Sequence, residues 1–445
     1  MSTVLAASPP TTDAAPASRV RWNTSTRIAF RFCFLYFAMY VLATQMLGGI
    51  IVIPGDWNLP ELQTLPPFKT LIAWTAAQVF RRTAPLVMTG SGSGDKTFDW
   101  VAAFCLLVIA SIGTAIWSLV DRGRSNYLTP HTWFRLFLRF ATGTTMLSYG
   151  MVKAVPLQMP APALTRLLEP FGNLSPMGVL WASIGASASY ERFAGIMELS
   201  AAVLLFIPRT ATLGALVLLV DSAQIFALNM TYDVPVKLFS FHLILMALVL
   251  LAPDSRRLLN VLVLDRAAPA SSKPPLARGV RAQRILLAAQ LLFAAYLIGV
   301  FVLSARNSWT SYGGGAPKPA LYGIWDVKKM SIDGVERAPL VTDYDRWRRV
   351  VIQSSTFVSF QRMDQSFAFY PATTDVEHRT IVLTGPSDSA WKGRFVFERP
   401  DVNHLTMNGT MGGTRIRLDL ERFDHTNMLL VTRGFHWVQE YPFNR

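Results

Sequence analysis

The feature that most constrains this chain is a series of apolar runs, each about as long as a lipid bilayer is thick. A helix needs roughly 20 apolar residues to cross the hydrocarbon core, and in lipid its backbone groups must bond within the helix. Seven runs meet or approach this length: 28–53, 99–120, 133–155, 190–207, 209–230, 235–252 and 283–304. We therefore predict an α-helical integral membrane bundle of about seven transmembrane helices.

The segment 60–80 is the main uncertainty in the predicted topology. It is short and interrupted by prolines, and its apolar residues Phe68, Leu71, Ile72, Trp74 and Val79 are typical of a helix lying at the membrane interface. If it crossed the bilayer instead, the orientation of every later helix would be reversed.

The composition favours lipid over nucleic acid as a partner. Hydrophobic residues make up 51% of the chain and charged residues 16%, whereas soluble proteins carry about 25% charged residues. The net charge of +14 comes from Arg and Lys at the ends of apolar runs, where they face anionic lipid. Outside these runs basic and aromatic residues are interleaved only in short patches such as 346–349, so we predict no nucleic-acid partner.

The distribution of Arg and Lys among the loops predicts the orientation. The loops on the side of the N-terminus carry more of these residues than the opposite loops, which places the N-terminus in the cytoplasm. An odd number of spans then puts the C-terminal domain in the periplasm or outside the cell. The predicted location is the inner membrane of a bacterium.

The pattern of apolar and polar residues changes at residue 321. Short segments follow in which Val, Ile, Phe and Thr alternate with charged residues, and the last of them is MLLVTRGFHWV at 428–438. About eight such segments predict a small antiparallel barrel or sandwich. The opening Gly323-Ile324-Trp325 resembles that of the lipocalins, and the resemblance implies an antiparallel β-barrel in which Arg433 stacks on Trp325.

A basic and aromatic patch, Arg346-Trp347-Arg348-Arg349, lies within the predicted barrel. We interpret it as a solvated strand edge, and a contact with phospholipid headgroups is the alternative. The two cysteines, Cys33 and Cys105, lie inside apolar runs, which excludes a disulfide framework and a dithiol pair. We find no spacing typical of metal ligands and predict no metal site.

Ionisable residues inside membrane helices are costly and mark functional sites. At 1.5 Å per residue, four consecutive runs place acids, bases and amides in the middle and outer half of the bilayer. We predict that they line one pocket, in which Glu198, Asp221 and His242 are catalytic and handle protons. The predicted ligand-binding residues are Tyr149, Lys153, Glu191, Gln224, Asn229 and Lys237. The alternative is a set of structural ion pairs, such as Lys153 with Glu191 and Glu198 with His242.

Residues 132–254 resemble the DoxX family of membrane proteins. The likeness lies in LFLRFATGTTMLSYGMVKA and YERFAGIMELSAAVLLFIPRTATLGALVLL. The pattern is carried by Arg139, Gly143, Gly150, Lys153, Gly195, Glu198, Leu205 and Arg209. The resemblance implies a four-helix membrane bundle in a redox or quinone-linked system, because some relatives are subunits of a thiosulfate:quinone oxidoreductase. Such a redox role would need a quinone or a partner protein, which could be a redox protein or a subunit of a membrane complex.

The predicted organisation has six parts. They are a disordered cytoplasmic tail (1–27), two transmembrane helices with an extracytoplasmic loop and the interfacial helix (28–131), the DoxX-like bundle (132–254), a basic loop with the last helix (255–304), a linker (305–320) and the barrel (321–445). The sequence leaves open whether the chain is an enzyme. The alternatives to a membrane oxidoreductase subunit are a binder or transporter of a small lipophilic or anionic ligand, and a structural subunit of a membrane complex.

Overall fold

The computed structural model describes residues 21–52, 59–268, 274–385 and 391–444. Most of the predicted N-terminal tail therefore lies outside the described residues. The helices are α1 Thr24–Ala43, α2 Gln45–Ile50, α3 Phe68–Gln78, α4 Thr97–Val120, α5 Leu128–Ala154, α6 Leu164–Leu168, α7 Pro176–Gly185, α8 Ala188–Phe206, α9 Ala211–Thr231, α10 Lys237–Leu251, α11 Ser255–Leu262, α12 Val280–Ser311 and α13 Leu429–Thr432.

Five stretches of helix in the described chain are long and apolar enough to cross a membrane. They are α1, α4, α9, the continuous stretch Lys237–Leu262 that contains α10 and α11, and α12. Helices α5 and α8 have 27 and 19 residues but are not among these five, because charged side chains such as Arg139 and Glu198 interrupt their apolar stretches. Large apolar side chains such as Ile112, Leu119, Val220 and Leu292 are exposed, as expected for surfaces that meet lipid. The prediction of several apolar, membrane-type helices is thus confirmed.

The chain folds as two compact units, which we describe separately. The first comprises residues up to Thr142 together with Leu245–Leu292, and the second comprises Gly143–Ile244 and Phe293–Arg445. Helices α5, α10 and α12 each contribute to both units.

In the first unit, the segment 60–80 forms a short 3-10 helix, Leu62–Thr64, and then α3. Ile72 and Ala76 on one face of α3 are buried against Phe98 and Val101 of α4, while Trp74 on the other face is exposed. At eleven residues, α3 is about 16 Å long, roughly half the thickness of the hydrocarbon core. This length favours the predicted interfacial position.

A buried arginine that sequence reasoning missed links α1 to the α4–α5 connection. Arg31 is 3% exposed. Its guanidinium donates hydrogen bonds to Ser118 Oγ at 2.8 Å, Tyr127 Oη at 2.6 and 2.9 Å, and the Asp121 carbonyl at 2.7 Å. The Tyr127 hydroxyl in turn donates to Asp121 Oδ2 at 2.8 Å. Burial of the cation is tolerated because each guanidinium nitrogen has an acceptor.

The second unit contains a closed β-barrel. Its strands are β1 Gly323–Ile332, β2 Val335–Glu336, β3 Trp347–Ile352, β4 Phe357–Arg362, β5 Phe367–Asp375, β6 Thr380–Thr384, β7 Lys392–Glu398, β8 His404–Met411 and β9 Thr414–Phe423. Each strand from β3 to β8 pairs antiparallel with the next, and β1 pairs with both β3 and β9. The two-residue β2 pairs only with the end of β1. Eight strands therefore form the wall, which confirms the predicted antiparallel barrel.

The barrel interior is filled by its own side chains. Burial alternates along the strands, as in β7, where Gly393, Phe395 and Phe397 point inward, because successive strand side chains face opposite sides. Trp325 is fully buried, and Trp347 stacks on Phe360 with ring centroids 4.0 Å apart. An eight-stranded barrel is just wide enough for such a core. This packing argues against a ligand inside the barrel.

Two predictions about the barrel are wrong. The segment 428–438 forms α13 and irregular chain instead of a strand, because the pairing of β1 with β9 closes the sheet and leaves no edge for another strand. The guanidinium over the Trp325 ring belongs to Arg399, at 5.6 Å from the centroid. Arg433 lies instead over the ring of Phe443, at 4.4 Å.

The predicted solvated patch at 346–349 is also wrong. Arg346 is 2% exposed and donates to the carbonyl oxygens of Trp347, of Val327 at 3.0 Å and of Arg337 at 3.1 Å. Burial lowers the pKa of the Arg346 guanidinium. Trp347 belongs to the core, and Arg349 forms an ion pair with Asp326 at 2.7 Å. Arg348 alone of the four is exposed.

We expect Arg346→Met to destabilise the barrel by about 1–3 kcal/mol, because two or more buried carbonyl oxygens lose their donors. Urea denaturation of the full chain in detergent, followed by near-ultraviolet circular dichroism, measures the change. The matched control is Arg348→Met, which removes an exposed cation two residues away and should stay within about 0.5 kcal/mol of the parent. Equal effects of the two substitutions would contradict the structural role of Arg346.

Candidate functional site

The site begins with a close contact between α5 and α8 in the second unit. A Cβ atom at Gly150 would lie 2.9 Å from both Gly195 O and Leu199 N, and one at Gly143 would lie 2.7 Å from the Phe206 ring. The two helices are therefore antiparallel, and their backbones touch at Gly150 and Gly195. Small residues allow this approach between apolar helices. These glycines are part of the pattern on which the DoxX resemblance rests.

The close contact brings Lys153 and Glu198 together. Each lies three residues after a contact glycine, Gly150 and Gly195 respectively, and so shares the face on which the helices meet. Lys153 Nζ donates a hydrogen bond to Glu198 Oε1. The two residues are 8% and 1% exposed, so this is a buried ion pair.

Helix α9 adds a second carboxylate to the pair. A Cβ at Gly214 would lie 2.7 Å from Leu205 N, and this contact sets the antiparallel register of α8 and α9. The same register puts Asp221 opposite Glu198, and Asp221 interacts electrostatically with both Glu198 and Lys153. We call Lys153, Glu198 and Asp221 the charge cluster.

The charge cluster contains buried oxygens without hydrogen-bond partners. Within the described part of the chain, Glu198 Oε2, Asp221 Oδ2 and the adjacent Ser222 Oγ are buried and unbonded. The two carboxylate oxygens are acceptors. They can therefore bind a group that donates, such as a hydroxyl or a water molecule. Ser222 was missed at the sequence level, since a serine in a membrane helix carries little signal of its own.

Glu191 lies at the start of α8, near the end of α5. It is fully buried, and its Oε1 accepts a hydrogen bond from Met159 N at 2.8 Å. It also interacts electrostatically with Lys153. The hydrogen-bonded partner of Lys153 is nevertheless Glu198, and not Glu191 as in the predicted alternative. That alternative also paired Glu198 with His242, which is wrong because the ion-pair partner of Glu198 is Lys153.

The remaining predicted site residues have other neighbours. His242 is buried in α10, and its Nδ1 lies 2.7 Å from Leu238 O on the same helix. Asn229 Nδ2 donates to Ser240 Oγ at 3.0 Å and to Val236 O at 3.3 Å, which fixes the α9–α10 turn. Lys237 pairs with the exposed Asp233 at 2.8 Å. Gln224 is exposed on α9. Tyr149 remains near the cluster, with its ring centroid 5.8 Å from Lys153 Nζ.

The barrel packs against the segment that follows α5. Leu164 of α6 is buried with Ile324 of β1 and Val351 of β3. Leu164 N donates to Gln353 Oε1 at 2.8 Å, and Gln361 Nε2 donates to Leu168 O at 3.4 Å. Helix α6, which begins ten residues after the end of α5, thus covers outward-facing residues of the barrel.

Among the residues described, no group of three or more His, Cys, Asp or Glu is arranged to hold a metal ion.

Fold and site together define a protein with several apolar helices, a charge cluster between α5, α8 and α9, and a C-terminal closed β-barrel. No protein-family model matches the chain, and no solved structure matches it. The uncharacterized protein YwoB of Bacillus subtilis (strain 168) is 34% identical over 137 residues, which cover 29% of this chain and 79% of YwoB. By this identity and coverage the chain belongs to the same family as YwoB.

We expect Gly150→Ala to destabilise the protein by about 1–3 kcal/mol, because the added methyl group meets backbone atoms of α8 that cannot move aside. Thermal unfolding in detergent measures the loss. Gly299 provides the matched control, since it also lies in an apolar helix but has nothing within 4 Å of the added Cβ. Gly299→Ala should be neutral or slightly stabilising. Unchanged stability of Gly150→Ala would mean that α5 and α8 do not touch at this point.

Proposed function

We propose that this chain is a multi-pass membrane component of a redox or quinone-linked system, and that its charge cluster takes up and releases one proton. The observation that carries the proposal is a buried ion pair between Lys153 and Glu198, with a second carboxylate, Asp221, within electrostatic range of both. The DoxX resemblance supports the quinone link, and the helices long enough to cross a membrane support the location.

The charge balance of the cluster explains why a proton would be exchanged. With Lys153 charged and both carboxylates ionised, the cluster carries one net negative charge. Uptake of one proton makes it neutral. A net charge is costly within the membrane. The ionised form of a carboxylate is nevertheless stabilised by the nearby ammonium group and by any hydrogen-bond donor that reaches it. Binding or loss of such a donor therefore changes the proton occupancy.

The free oxygens of the cluster fit the hydroxyl groups of a reduced quinone. Glu198 Oε2 and Asp221 Oδ2 are buried acceptors without a partner, and the buried hydroxyl of Ser222, the next residue of α9, can donate. These three groups would hold the ligand, and the quinone would supply the redox chemistry. The chain itself would orient the ligand and accept its two hydroxyl protons one at a time, releasing the first before it takes the second. A partner protein would exchange the electrons.

The proposed location is the inner membrane, with the N-terminus in the cytoplasm and the barrel in the periplasm or outside the cell. The excess of Arg and Lys in the loops on the N-terminal side supports this orientation. Membrane lipids would surround the helices, whose apolar side chains are exposed.

Quinone retention tests the proposed function. The wild-type protein, purified in mild detergent and extracted with organic solvent, should release quinone in near-equal proportion to protein. Glu198→Gln and Asp221→Asn should each lower the retained quinone about tenfold, which corresponds to roughly 1.4 kcal/mol of lost binding free energy. Asp233→Asn is the matched control, because it makes the same change at an exposed position near the end of α9. Thermal unfolding of each variant verifies that it is folded.

Other outcomes of this extraction would favour other functions. A stoichiometric lipid without redox activity would contradict the redox proposal and favour a binder or transporter. Wild-type protein without any bound ligand, together with variants that unfold, would favour purely structural ion pairs. Copurifying subunits in that case would indicate a structural role in a complex.

Cysteine labelling tests the proposed orientation. In a Cys33→Ala, Cys105→Ala background, a cysteine at the exposed Ser366 of the barrel should react with a membrane-impermeant maleimide in intact spheroplasts. A cysteine at the exposed Arg256 should react only after the membrane is permeabilised. The reverse result would mean that an additional segment, such as 60–80, crosses the bilayer.

A further inference from the structure

The chain beyond the barrel exposes a run of large apolar and aromatic side chains. We call residues 428–443 the aromatic tail. Trp437 is 91% and Tyr441 84% exposed, and Leu429, Leu430, Val431, Phe435 and Val438 are also exposed. In the barrel itself Trp325 and Trp347 are buried. A surface of this kind marks contact with a membrane or another protein.

The chemistry of the aromatic tail fits the interface between lipid and water. Trp and Tyr combine an apolar ring with a polar group, and they are enriched at the level of the headgroups. The tail also carries a cation, since Arg433 lies over the Phe443 ring and donates to Gln439 Oε1 at 3.1 Å. A guanidinium next to aromatic side chains suits phospholipid phosphates.

The aromatic tail starts close to the point where the last apolar helix ends. Strand β9 ends at Phe423, which pairs with Ile324 at the start of β1. The ring centroids of Tyr322 and of His425, just before the tail, lie 6.2 Å apart. Lys318 Nζ lies 4.6 Å from the Tyr322 centroid. Tyr322 follows the end of α12 by eleven residues. The start of the tail therefore lies beside the connection that joins α12 to the barrel.

We propose that the aromatic tail inserts into the headgroup region of the bilayer that surrounds the helices, and thereby holds the barrel against the membrane surface. The occupant of this apolar surface is phospholipid, with Trp437 and Tyr441 in the interface and Arg433 at the phosphates. This inference rests on the proposed membrane location of the helices.

Lipid quenching of the full-length protein in phosphatidylcholine and phosphatidylglycerol vesicles tests the inference. Single cysteines are introduced at Trp437, at Val335 and at Val220 in the Cys33→Ala, Cys105→Ala background and labelled with an environment-sensitive fluorophore. Val335 is an exposed apolar residue of β2, at the other end of β1. Val220 is an exposed residue of α9. Nitroxide-labelled phospholipid is the quencher in the bilayer, and iodide is the quencher in water.

We expect nitroxide lipid to quench the label at position 437 about threefold more than the label at 335, as for a residue about 5–10 Å deep in the interface. Strong iodide quenching at 437 without lipid quenching would overturn the inference, because the tail would lie in water. Protection from both quenchers would also overturn it and would indicate a protein partner. If the label at 220 is not quenched by lipid either, the helices are outside the bilayer and the proposed function fails as well.

Discussion

The contact between α5 and α8 at Gly150 and Gly195 is the constraint on which the site depends. Because neither residue has a side chain, the two backbones touch, and the lysine and glutamate one turn further along are brought into a buried ion pair. Wider separation of the helices would leave each charge alone in an apolar surrounding, at a cost of several kcal/mol. The glycines and the charged residues therefore form one structural unit.

The same contact is connected to the barrel through the segment that follows α5. Met159 in this segment donates to Glu191 of α8, and Leu164 donates to Gln353 of the barrel. The segment is thus held by hydrogen bonds at two points, one on the bundle and one on the barrel. Since the barrel interior is filled by its own core, the contacts that remain open to the barrel lie on its outer surface, and we assign the proposed ligand binding to the bundle.

Features that depend on local periodicity could be predicted from the sequence. Apolar length predicted the long helices, and alternation predicted the barrel strands. Features that depend on which elements meet could not. The alternating residues 428–438 have no free strand edge to pair with. The Arg346 side chain points inward and bonds carbonyl oxygens of nearby residues of the barrel. The partner of Lys153 depends on the register of two helices, which the contact glycines fix. Glu198 and Asp221 could be selected as candidates from the sequence because charge within an apolar run is costly wherever the helix lies.

The residues that carry the DoxX resemblance have two different physical roles. Gly143, Gly150 and Gly195 serve packing, and any pair of closely packed membrane helices would need small residues at such positions. Lys153 and Glu198 are not required for packing, because well-packed apolar side chains in place of a buried ion pair often leave stability unchanged or increase it. Asp221 adds a second carboxylate to the charge cluster, whose three members include one cation, Lys153. The proposed exchange of a proton requires such a group, whose charge can change.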